Sequence, residues 1–449
     1  MAKYKKYAEY QDSGAQWLGE VPNHWGVEYS KWLFEERNIK ATAHDEMLTA
    51  SQKYGVIPQK MFMELEQQKV VQVLSGHDIL KKTEANDFVI SMRSFQGGIE
   101  FSEYSGAVSS AYVPLKPREG LSLAYYKHLF KSAPYIQALQ TTTNLVRDGQ
   151  ALRYGNFIQV RIPLVPLEEA EKIGQFLDHE TAKIDSLIAK QEKLIELLKE
   201  KRQAVISHAV TKGLNPNVAM KDSGVEWLGQ VPEHWTVKPN KYLLDFVTSG
   251  SRGWAQFYAD TGSLFFRIAN LTRDTIEPKL ESLQFVEPPQ GSEGERSKIK
   301  IGDLLISITA DLGSVCVADS SIQNGYVSQH VALCRPQKLY NSRWLAYYIL
   351  SDSAKEQLLG SGYGGTKIQL SLEDIKELVI AVPPKEEQIL IANYIDEKLN
   401  QFEHLIKQAN KLVMTLQERR TALISSAVTG KIDLRNWQHP NEAKTELNL

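Results

Sequence analysis

Histidine and cysteine are two of the residue types that could hold a metal ion or act as nucleophiles, and neither is clustered in this sequence. His24 and His234 each stand alone in a Val-Pro-x-His-Trp sequence. A zinc site needs three or four protein ligands, so we expect these histidines to pack or to form hydrogen bonds. Cys316 and Cys334 lack metal-ligand spacing and are too few for a disulfide scaffold. We expect two small buried side chains in strands.

Motifs that carry enzyme chemistry are also missing from the sequence. It contains no Gly-x-x-x-x-Gly-Lys phosphate loop, no His-Glu-x-x-His zinc motif and no Gly-x-Ser-x-Gly nucleophile turn. The stretch Ser-Gly-Tyr-Gly-Gly at 361–365 looks like a phosphate-binding turn, but it lacks the strand and helix that would flank one. We therefore interpret it as a flexible loop.

Bulk composition indicates a globular protein of two or three domains. The chain has 449 residues, of which 42% are hydrophobic and 24% are charged. Its formal net charge of −2 does not indicate a protein that wraps nucleic acid, although one positive face would still allow DNA reading. No apolar run approaches the roughly 18 residues that span a membrane, so we expect a cytoplasmic location.

A tandem repeat organises the whole sequence. The phrase DSGAQWLGEVPNHW begins at Asp12 and returns as DSGVEWLGQVPEHW at Asp222, with ten of fourteen positions identical. A longer pair of matching segments begins at Val165 and at Pro383, displaced by 218 residues. Such repeats decide architecture. The chain therefore consists of a short motif, a variable block and a long segment, each present twice.

The two long segments have the pattern of helices that form a coiled coil. Pro166 and Pro384 mark their starts, and Gly213 and Gly430 mark their ends. Each would span about 44 residues, or roughly 65 Å. Because a whole domain connects them, the two helices can pair antiparallel within one chain. The predicted core residues are Leu177, Ile184, Ile188, Ile195, Leu198 and Val205 in the first helix and Ile395, Phe402, Ile406, Val413, Leu416 and Leu423 in the second.

Two arginines fall on the seam of this predicted coil, where a charge needs a partner. If the helices run antiparallel with Gln191 opposite Ala409, Arg202 lies near Asp396 and Arg420 lies near Asp178. We predict two symmetric salt bridges from this register. The alternative is that the seam frays here and both arginines face water or a partner subunit.

The blocks at 26–165 and 236–382 are rich in β-branched and aromatic runs, with short helices at Ser122 and Ser342. An α+β domain is the expected fold of each. Residues 87–91 (DFVIS) match residues 303–307 (DLLIS), so the two blocks share a framework and differ in their loops.

Two Trp-Leu-Gly-x-Val-Pro-x-His-Trp phrases, two β-rich blocks and two long Pro-started helices together resemble the specificity subunit of type I restriction-modification systems. The resemblance covers essentially the whole chain. It implies an α+β pseudo-twofold repeat in which two target recognition domains are joined by an antiparallel coiled coil. The implied segments are the first motif (1–25), recognition domain 1 (26–165), spacer helix 1 (166–213), the repeated linking motif (214–235), recognition domain 2 (236–382), spacer helix 2 (383–430) and a tail (431–449).

The same resemblance implies a subunit that is not itself an enzyme. It would bind a bipartite double-stranded DNA target and direct two DNA methyltransferase subunits and motor-nuclease subunits to it. The chain itself would need no cofactor, whereas S-adenosylmethionine, ATP and Mg²⁺ would serve those partners. The first spacer helix begins Pro-Leu-Glu-Glu rather than the more typical Pro-Pro-Lys-Glu, so docking of a partner at Pro166 is expected to differ.

Candidate DNA-reading residues follow from groove chemistry, because arginine pairs with guanine and asparagine or glutamine with adenine. Neither block is strongly basic, so we expect weak DNA binding by the isolated chain. For each residue, a role as a solvated surface side chain remains an alternative. The candidates are Arg93, Gln96, Arg147 and Arg153 in the first block and Arg252, Arg267, Asn270, Arg273, Gln329, His330 and Lys367 in the second.

Two other function classes remain open from the sequence. A coiled-coil structural adaptor with two protein-binding domains would show no salt-dependent binding to duplex DNA. A stand-alone DNA-modifying enzyme would transfer methyl groups without partners, and the missing catalytic motifs disfavour it.

Overall fold

Two compact units make up the chain. The computed structural model describes residues 4–68, 79–142, 152–250, 252–288, 291–359 and 369–440. Unit 1 contains residues 1–191 and 411–449, and unit 2 contains residues 192–410. Each predicted block, 26–165 and 236–382, therefore lies within one unit. In the described ranges, no helix is both long and apolar enough to cross a membrane.

The first half of the chain forms short elements followed by one long helix. In order, these are β1 (Tyr10–Asp12), β2 (Glu20–Pro22), β3 (Gly26–Tyr29), α1 (Ser30–Leu33), β4 (Phe34–Glu36), β5 (Leu48–Ser51), β6 (Gly55–Pro58), α2 (Gln59–Glu66), β7 (Lys81–Thr83), β8 (Phe88–Ile90), α3 (Ser94–Gly97), β9 (Glu100–Phe101), β10 (Gly106–Val108), β11 (Val113–Pro117), α4 (Leu123–Leu129), α5 (Ala133–Thr141), α6 (Tyr154–Phe157), β12 (Arg161–Leu164) and α7 (Leu167–Lys212).

The second half repeats much of this plan, and twelve strands are described in each half. Its elements are β13 (Met220–Asp222), β14 (Gln230–Pro232), β15 (Thr236–Pro239), β16 (Leu244–Ser249), β17 (Tyr258–Ala259), β18 (Ser263–Phe266), β19 (Phe285–Val286), α8 (Ser292–Ser297), β20 (Leu304–Ser307), β21 (Val315–Val317), β22 (Tyr326–Val327), β23 (Val331–Pro336), α9 (Ser342–Leu350), α10 (Asp352–Leu359), α11 (Leu372–Glu377), β24 (Val379–Val382) and α12 (Lys385–Val428).

Both units are built on the same four-stranded antiparallel sheet. Its order is β4-β11-β8-β9 in unit 1 and β16-β23-β20-β21 in unit 2. The hairpin β1–β2 recurs as β13–β14, and the pair β3–β12 recurs as β15–β24. Unit 2 adds a sheet of order β17-β19-β18-β22. The prediction of two α+β domains with a shared framework is confirmed.

A buried aspartate next to the central strand anchors each sheet. Asp87 and Asp303 are each 1% exposed. Arg37 pairs with Asp87 through two hydrogen bonds of 2.6 and 2.9 Å, and Arg335 pairs with Asp303 through two of 2.7 Å. Arg37 directly follows β4, whereas Arg335 lies in β23, so arginines from different parts of the two sheets form equivalent ion pairs. Bidentate pairing compensates the cost of burying each carboxylate.

The long helices begin and end where the sequence indicates. Helix α7 begins directly after Pro166 and α12 directly after Pro384, because proline is pre-set for the first helical turn and needs no hydrogen-bond acceptor there. Beyond their C-termini, Gly213 and Gly430 have φ values of +77° and +68°. This left-handed conformation is one that glycine adopts without steric cost.

Pairing of the two long helices is antiparallel within each unit. In unit 1, Leu177 and Ile184 of α7 share a core with Leu416 and Leu423 from the C-terminal half of α12. In unit 2 the order is reversed, and the C-terminal turns of α7 share a core with Ile391 and other residues near the start of α12. The antiparallel pairing predicted from the sequence is therefore present.

The predicted seam residues lie along the covered side of the helices. By contrast, Leu187 and Leu194 of α7 and their repeat counterparts Leu405 and Leu412 of α12 are exposed. A seam between two helices covers only part of each helix surface, which accounts for the half-buried positions. Leu177, Ile184, Ile395, Phe402, Leu416 and Leu423 are buried, whereas Ile188, Ile195, Leu198, Val205, Ile406 and Val413 are half-buried.

The predicted salt bridges across the coil are wrong in their partners. Arg420 pairs with Asp185 at 2.8 Å, one heptad away from Asp178. Asp178 instead contacts His128 of α4 at 2.8 Å. The predicted register placed Arg420 one heptad too close to the start of α7, and α4 of the recognition block supplies a nearer partner, His128, for Asp178.

Unit 2 departs from the prediction in the same way. Arg202 pairs with Asp274 at 3.2 Å, and Asp396 is held by Arg343 of α9 at 2.8 Å and by the hydroxyl of Tyr347. In both units, the carboxylate near the start of the long helix faces the block that precedes that helix. The expected cross-coil pairing did not take account of these side chains.

The repeated motif is connected to the start of a long helix by a buried glutamate. In unit 1, Glu169 of α7 is 6% exposed. It accepts hydrogen bonds from the indole N–H of Trp25 at 3.0 Å and the hydroxyl of Tyr7 at 2.7 Å, and it lies 2.7 Å from Nε2 of His24. Burial, together with the bond to Glu169, raises the pKa of Tyr7.

Unit 2 contains the same arrangement at the start of α12. Glu387 accepts from the indole N–H of Trp235 at 3.0 Å and lies 2.9 Å from Nε2 of His234. The hydrogen-bonding role predicted for both histidines is confirmed. The side chain of Glu387 is 26% exposed, so its contact is more accessible to water than that of Glu169.

Each motif also contacts the end of the other long helix. A Cβ atom on Gly430, beyond α12, would come within 2.3 Å of Pro22 and 3.1 Å of Trp25. A Cβ atom on Gly213, beyond α7, would come within 3.2 Å of Trp235. The motif in unit 1 therefore contacts the start of α7 and the end of α12, and the motif in unit 2 contacts the start of α12 and the end of α7. The motif occurs twice because each unit contains one such junction.

Replacing Glu169 by alanine is expected to destabilise unit 1 by about 3–4 kcal/mol, because buried donors lose a charged acceptor. Glu387→Ala should cost about 1–2 kcal/mol, since fewer donors converge there and water replaces part of the contact. Urea unfolding measures both. Glu168→Ala, which removes an exposed carboxylate from the same turn, is the matched control and should leave the unfolding midpoint unchanged. Equal effects at positions 168 and 169 would contradict this role for the buried contact.

Candidate nucleic-acid interface

The predicted DNA-reading residues of unit 1 are exposed and lie on turns. Arg93 and Gln96 belong to one turn at α3, which directly follows the central strand β8, and both side chains are exposed. Arg153 is also exposed and precedes α6. Side chains that project freely from a turn can reach a base edge in a groove. Arg147 lies outside the described residues, as does Lys367 of the second block.

Strand pairing in unit 2 brings two predicted DNA-reading residues, which are far apart in the sequence, to the same edge of a sheet. Arg267 follows β18, and Gln329 follows β22. These strands pair in parallel, with Phe265 opposite Tyr326. Because parallel strands have their carboxyl ends at the same edge, Arg267 and Gln329 emerge side by side. His330 comes next in the chain, with its Nε2 2.9 Å from Nε2 of Gln329.

A cleft of about 300 Å³ lies at this edge of unit 2. Arg267, Gln329 and His330 line it together with three aromatic residues, Trp254, Tyr258 and Phe265. Trp254 stacks on Phe265 with ring centroids 5.9 Å apart, and the ring of Tyr258 lies 5.5 Å from that of Phe265. The cleft combines aromatic surface with polar groups, as single-stranded nucleic-acid sites do.

The cleft contains no negative charge of its own. Its lining residues, all within the described part of the chain, include no aspartate or glutamate. Arg252 is exposed on the turn that leads into the lining residue Gly253. Positive and neutral donors without a competing carboxylate suit a ligand that carries acceptor atoms.

Two predicted residues of unit 2 have structural contacts instead. Asn270 is 0% exposed, and its amide donates to the carbonyls of Lys279 and Ser282 while accepting from the backbone N–H of Arg267 at 3.0 Å. The burial of Asn270 argues against a DNA-reading role, because no part of the side chain reaches the surface. Arg273 does not line the cleft; its guanidinium pairs with Asp311 at 2.6 Å.

Each unit also exposes a lysine next to an aromatic residue, and the sequence interpretation did not identify these pairs. Trp32 is 53% exposed, with Lys31 Nζ 5.1 Å from its ring. Tyr242 is 59% exposed, with Lys241 Nζ 5.5 Å from its ring. The two pairs are displaced by 210 residues, the displacement of the repeated motif. This shared displacement is the feature of the sequence from which the two pairs could have been predicted.

Buried residues next to these pairs explain why the pairs project outward. Ser30 is fully buried and donates to the Val160 carbonyl through its hydroxyl at 2.7 Å. Asn240 is fully buried and donates to the Ile375 carbonyl at 3.0 Å. Each anchored residue directs the following lysine and aromatic side chains toward solvent.

Groups suited to metal or thiol chemistry are not assembled in the described part of the chain. It contains no cluster of three or more potential metal ligands. Cys316 and Cys334 are buried, unpaired and in strands β21 and β23. Burial raises the pKa of Cys334 to about 12, so its thiol stays protonated and unreactive at neutral pH.

We expect Asn270→Ala to lower the stability of unit 2 by about 2–4 kcal/mol, because it leaves buried backbone groups without partners. Thermal unfolding without DNA is the measurement. Asn156→Ala is the comparison, since the Asn156 amide makes similar contacts with Arg153 and Thr142 but is only half-buried, and its effect should be smaller. If Asn270→Ala stayed stable and changed the DNA sequence preference, Asn270 would be a DNA-reading residue.

Comparison with known proteins finds several to which this chain is similar. Residues 290–413 match the model described as type I restriction modification DNA specificity domain. The EcoKI specificity subunit of Escherichia coli K12 is 24% identical over 73% of this chain and 69% of its own length. The MjaVIII specificity subunit of Methanocaldococcus jannaschii is 22% identical over 78% of this chain and 80% of its own.

Solved structures support the same fold. A chain from a type I R-M system, solved to study complex assembly and conformational transition, superposes with a TM-score of 0.71 at 17% identity, covering 92% of this chain and 99% of that one. The HsdS subunit from Thermoanaerobacter tengcongensis gives a TM-score of 0.54 at 17% identity, covering 92% and 98%. In its duplicated sheet, helix pair and repeated motif, the chain is similar to the specificity subunits of type I restriction-modification systems.

Proposed function

We propose that this chain is the DNA sequence-recognition subunit of a type I restriction-modification complex. It binds a bipartite duplex target, with one half-site for each unit, and directs methyltransferase and motor-nuclease subunits to that target. The observation that carries the proposal is the repeated framework with different polar surfaces. Unit 1 exposes Arg93 and Gln96 on a turn, whereas unit 2 gathers Arg267, Gln329 and His330 in a cleft.

A shared framework with different side chains is what two related reading tasks require. Contacts to phosphates position a protein on DNA, and contacts to bases specify the sequence. The sheet and the motif are the same in both units, so they form a common framework that positions the DNA-contacting side chains of each unit. The turn after β8 and the cleft beside β22 differ, so each unit can prefer different bases.

The partners that this function needs come in two copies, and the lysine and aromatic pairs suit them. Trp and Tyr are enriched at residues that dominate binding energy. Lys31 with Trp32 and Lys241 with Tyr242 occupy equivalent places in the two units. We assign these pairs to contacts with two identical methyltransferase subunits, one on each unit.

A structural adaptor remains the second candidate, and the exposed leucines of the coil favour it. Leu187, Leu194, Leu405 and Leu412 are 42–47% exposed at repeat-related positions, which suits docking of a protein. An adaptor would bind partners without binding duplex DNA. Salt-dependent binding of the assembled complex to duplex DNA distinguishes the two functions.

Mapping methylated adenines in cells that express the system tests the proposed function. We expect a motif of two short specific parts separated by about one helical turn. Exchange of residues 236–382 for the matching block of a relative should change one part only, because unit 2 contains that whole block. A continuous motif, or a change in both parts after the exchange, would contradict separate half-sites.

Trp32→Ala and Tyr242→Ala test the partner contacts. Each variant should leave complexes with one methyltransferase subunit in place of two, as measured by native mass spectrometry, and the double variant should bind neither. Ile301→Ala removes another side chain that is 59% exposed and is the control that should keep both partners. Full stoichiometry in the double variant would exclude these contacts as docking sites.

A further inference from the structure

Unpaired polar atoms are concentrated in the cleft of unit 2. Among the described residues, nine side-chain polar atoms are buried without a hydrogen-bond partner. Three of them belong to residues that line this one cleft: Nε1 of Trp254, Nε of Arg267 and Oγ of Ser328. Native proteins rarely leave buried polar atoms unpaired, and each exception calls for an explanation. A ligand that enters the cleft and shifts these buried side chains would offer their atoms the partners they lack.

The chemistry of the cleft selects the kind of ligand. The Trp254 and Arg267 atoms are N–H donors, and the Ser328 hydroxyl can donate as well. No carboxylate lines the cleft, so the ligand must carry acceptor atoms. Tyr258 adds an exposed aromatic ring, which favours a flat ring over a bare phosphate. Guanine presents O6 and N7 as acceptors and thymine presents O4, and both are flat.

The recessed position of the donors determines how such a base would reach them. A base within a duplex exposes only its edge, because stacked neighbours cover both faces. The aromatic wall and the buried donors can engage a whole ring only after the base has left the stack, as enzymes that act on bases require. A cleft of about 300 Å³ falls at the small end of ligand sites, which suits one base.

We infer that unit 2 draws one guanine or thymine of its half-site out of the DNA stack into the cleft formed by Trp254, Tyr258, Phe265, Arg267 and Ser328. The inference rests on the proposed function and adds a mode of reading to it. The extruded base is separate from the adenine that becomes methylated and from its pairing partner. Tyr258 provides a ring surface for the base, and Arg267 donates to its acceptor atoms.

Chemical probing of the assembled complex tests this inference. Complexes of the full chain with its methyltransferase partner are bound to duplexes that contain the mapped motif. Permanganate reports unstacked thymines, and a fluorescent guanine analogue placed at each guanine of the unit 2 half-site reports unstacked guanines. One position outside the methylated base pair should become reactive or bright. Tyr258→Ala and Arg267→Gln should each reduce that signal by roughly ten-fold, as expected from loss of a stacking or cation contact.

Controls separate this inference from the proposed function. Tyr104→Ala removes an exposed tyrosine of unit 1 and should leave the signal in the unit 2 half-site unchanged. Tyr258 is 45% exposed, so its variant provides the test even if Arg267→Gln fails to fold. A normal split methylation motif with no extruded base, or with extrusion that both variants retain, overturns the inference and leaves the function standing. A motif that is not split overturns both.

Discussion

A buried glutamate in the first turn of each long helix is the contact on which the architecture depends. The first turn of a helix carries unpaired N–H groups and a positive dipole end, so a carboxylate is favourable there. Glu169 and Glu387 also accept the indole N–H groups of Trp25 and Trp235. Because the same tryptophans lie beside the glycines that end the opposite helices, one contact connects a helix start, a helix end and the repeated motif.

The surfaces proposed to contact DNA can differ between the two units without any change to this junction. The junction uses residues from the motifs and the long helices, whereas Arg93, Gln96 and the cleft of unit 2 lie on turns at the ends of sheet strands. Binding residues are often found on loops that a rigid scaffold positions. Under the proposed function, a change in these turns would alter what a unit binds while the buried contacts stay intact. This separation is the physical basis for assigning one half-site to each unit.

Repetition made much of the fold predictable. The 218-residue displacement revealed the paired helices, and proline and glycine positions located their ends because these residues act through local backbone conformation. The central strands were also evident, since β-branched runs indicate strands directly. Heptad spacing identified which helix positions face the seam, because that spacing follows from helix geometry alone.

Features that depend on tertiary contacts were not predictable from the sequence. The partners predicted for Arg420 and Arg202 were wrong because Asp178 and Asp396 contact α4 and α9 of the recognition blocks and not the paired long helix. Asn270 has a residue type suited to reading adenine, but its burial follows from loop packing that residue type does not reveal. The cleft depends on the parallel pairing of β18 and β22, which brings Arg267 and Gln329 together from distant parts of the chain.

Binding of the assembled complex to duplexes with one scrambled half-site tests most directly whether two units read separate parts of one target. Affinity is measured at fixed salt for the full motif and for motifs with either part scrambled. Two linked readers predict a loss of at least roughly 10²-fold from scrambling either part. Unchanged affinity after scrambling one part would show that a single unit carries recognition and would contradict this account.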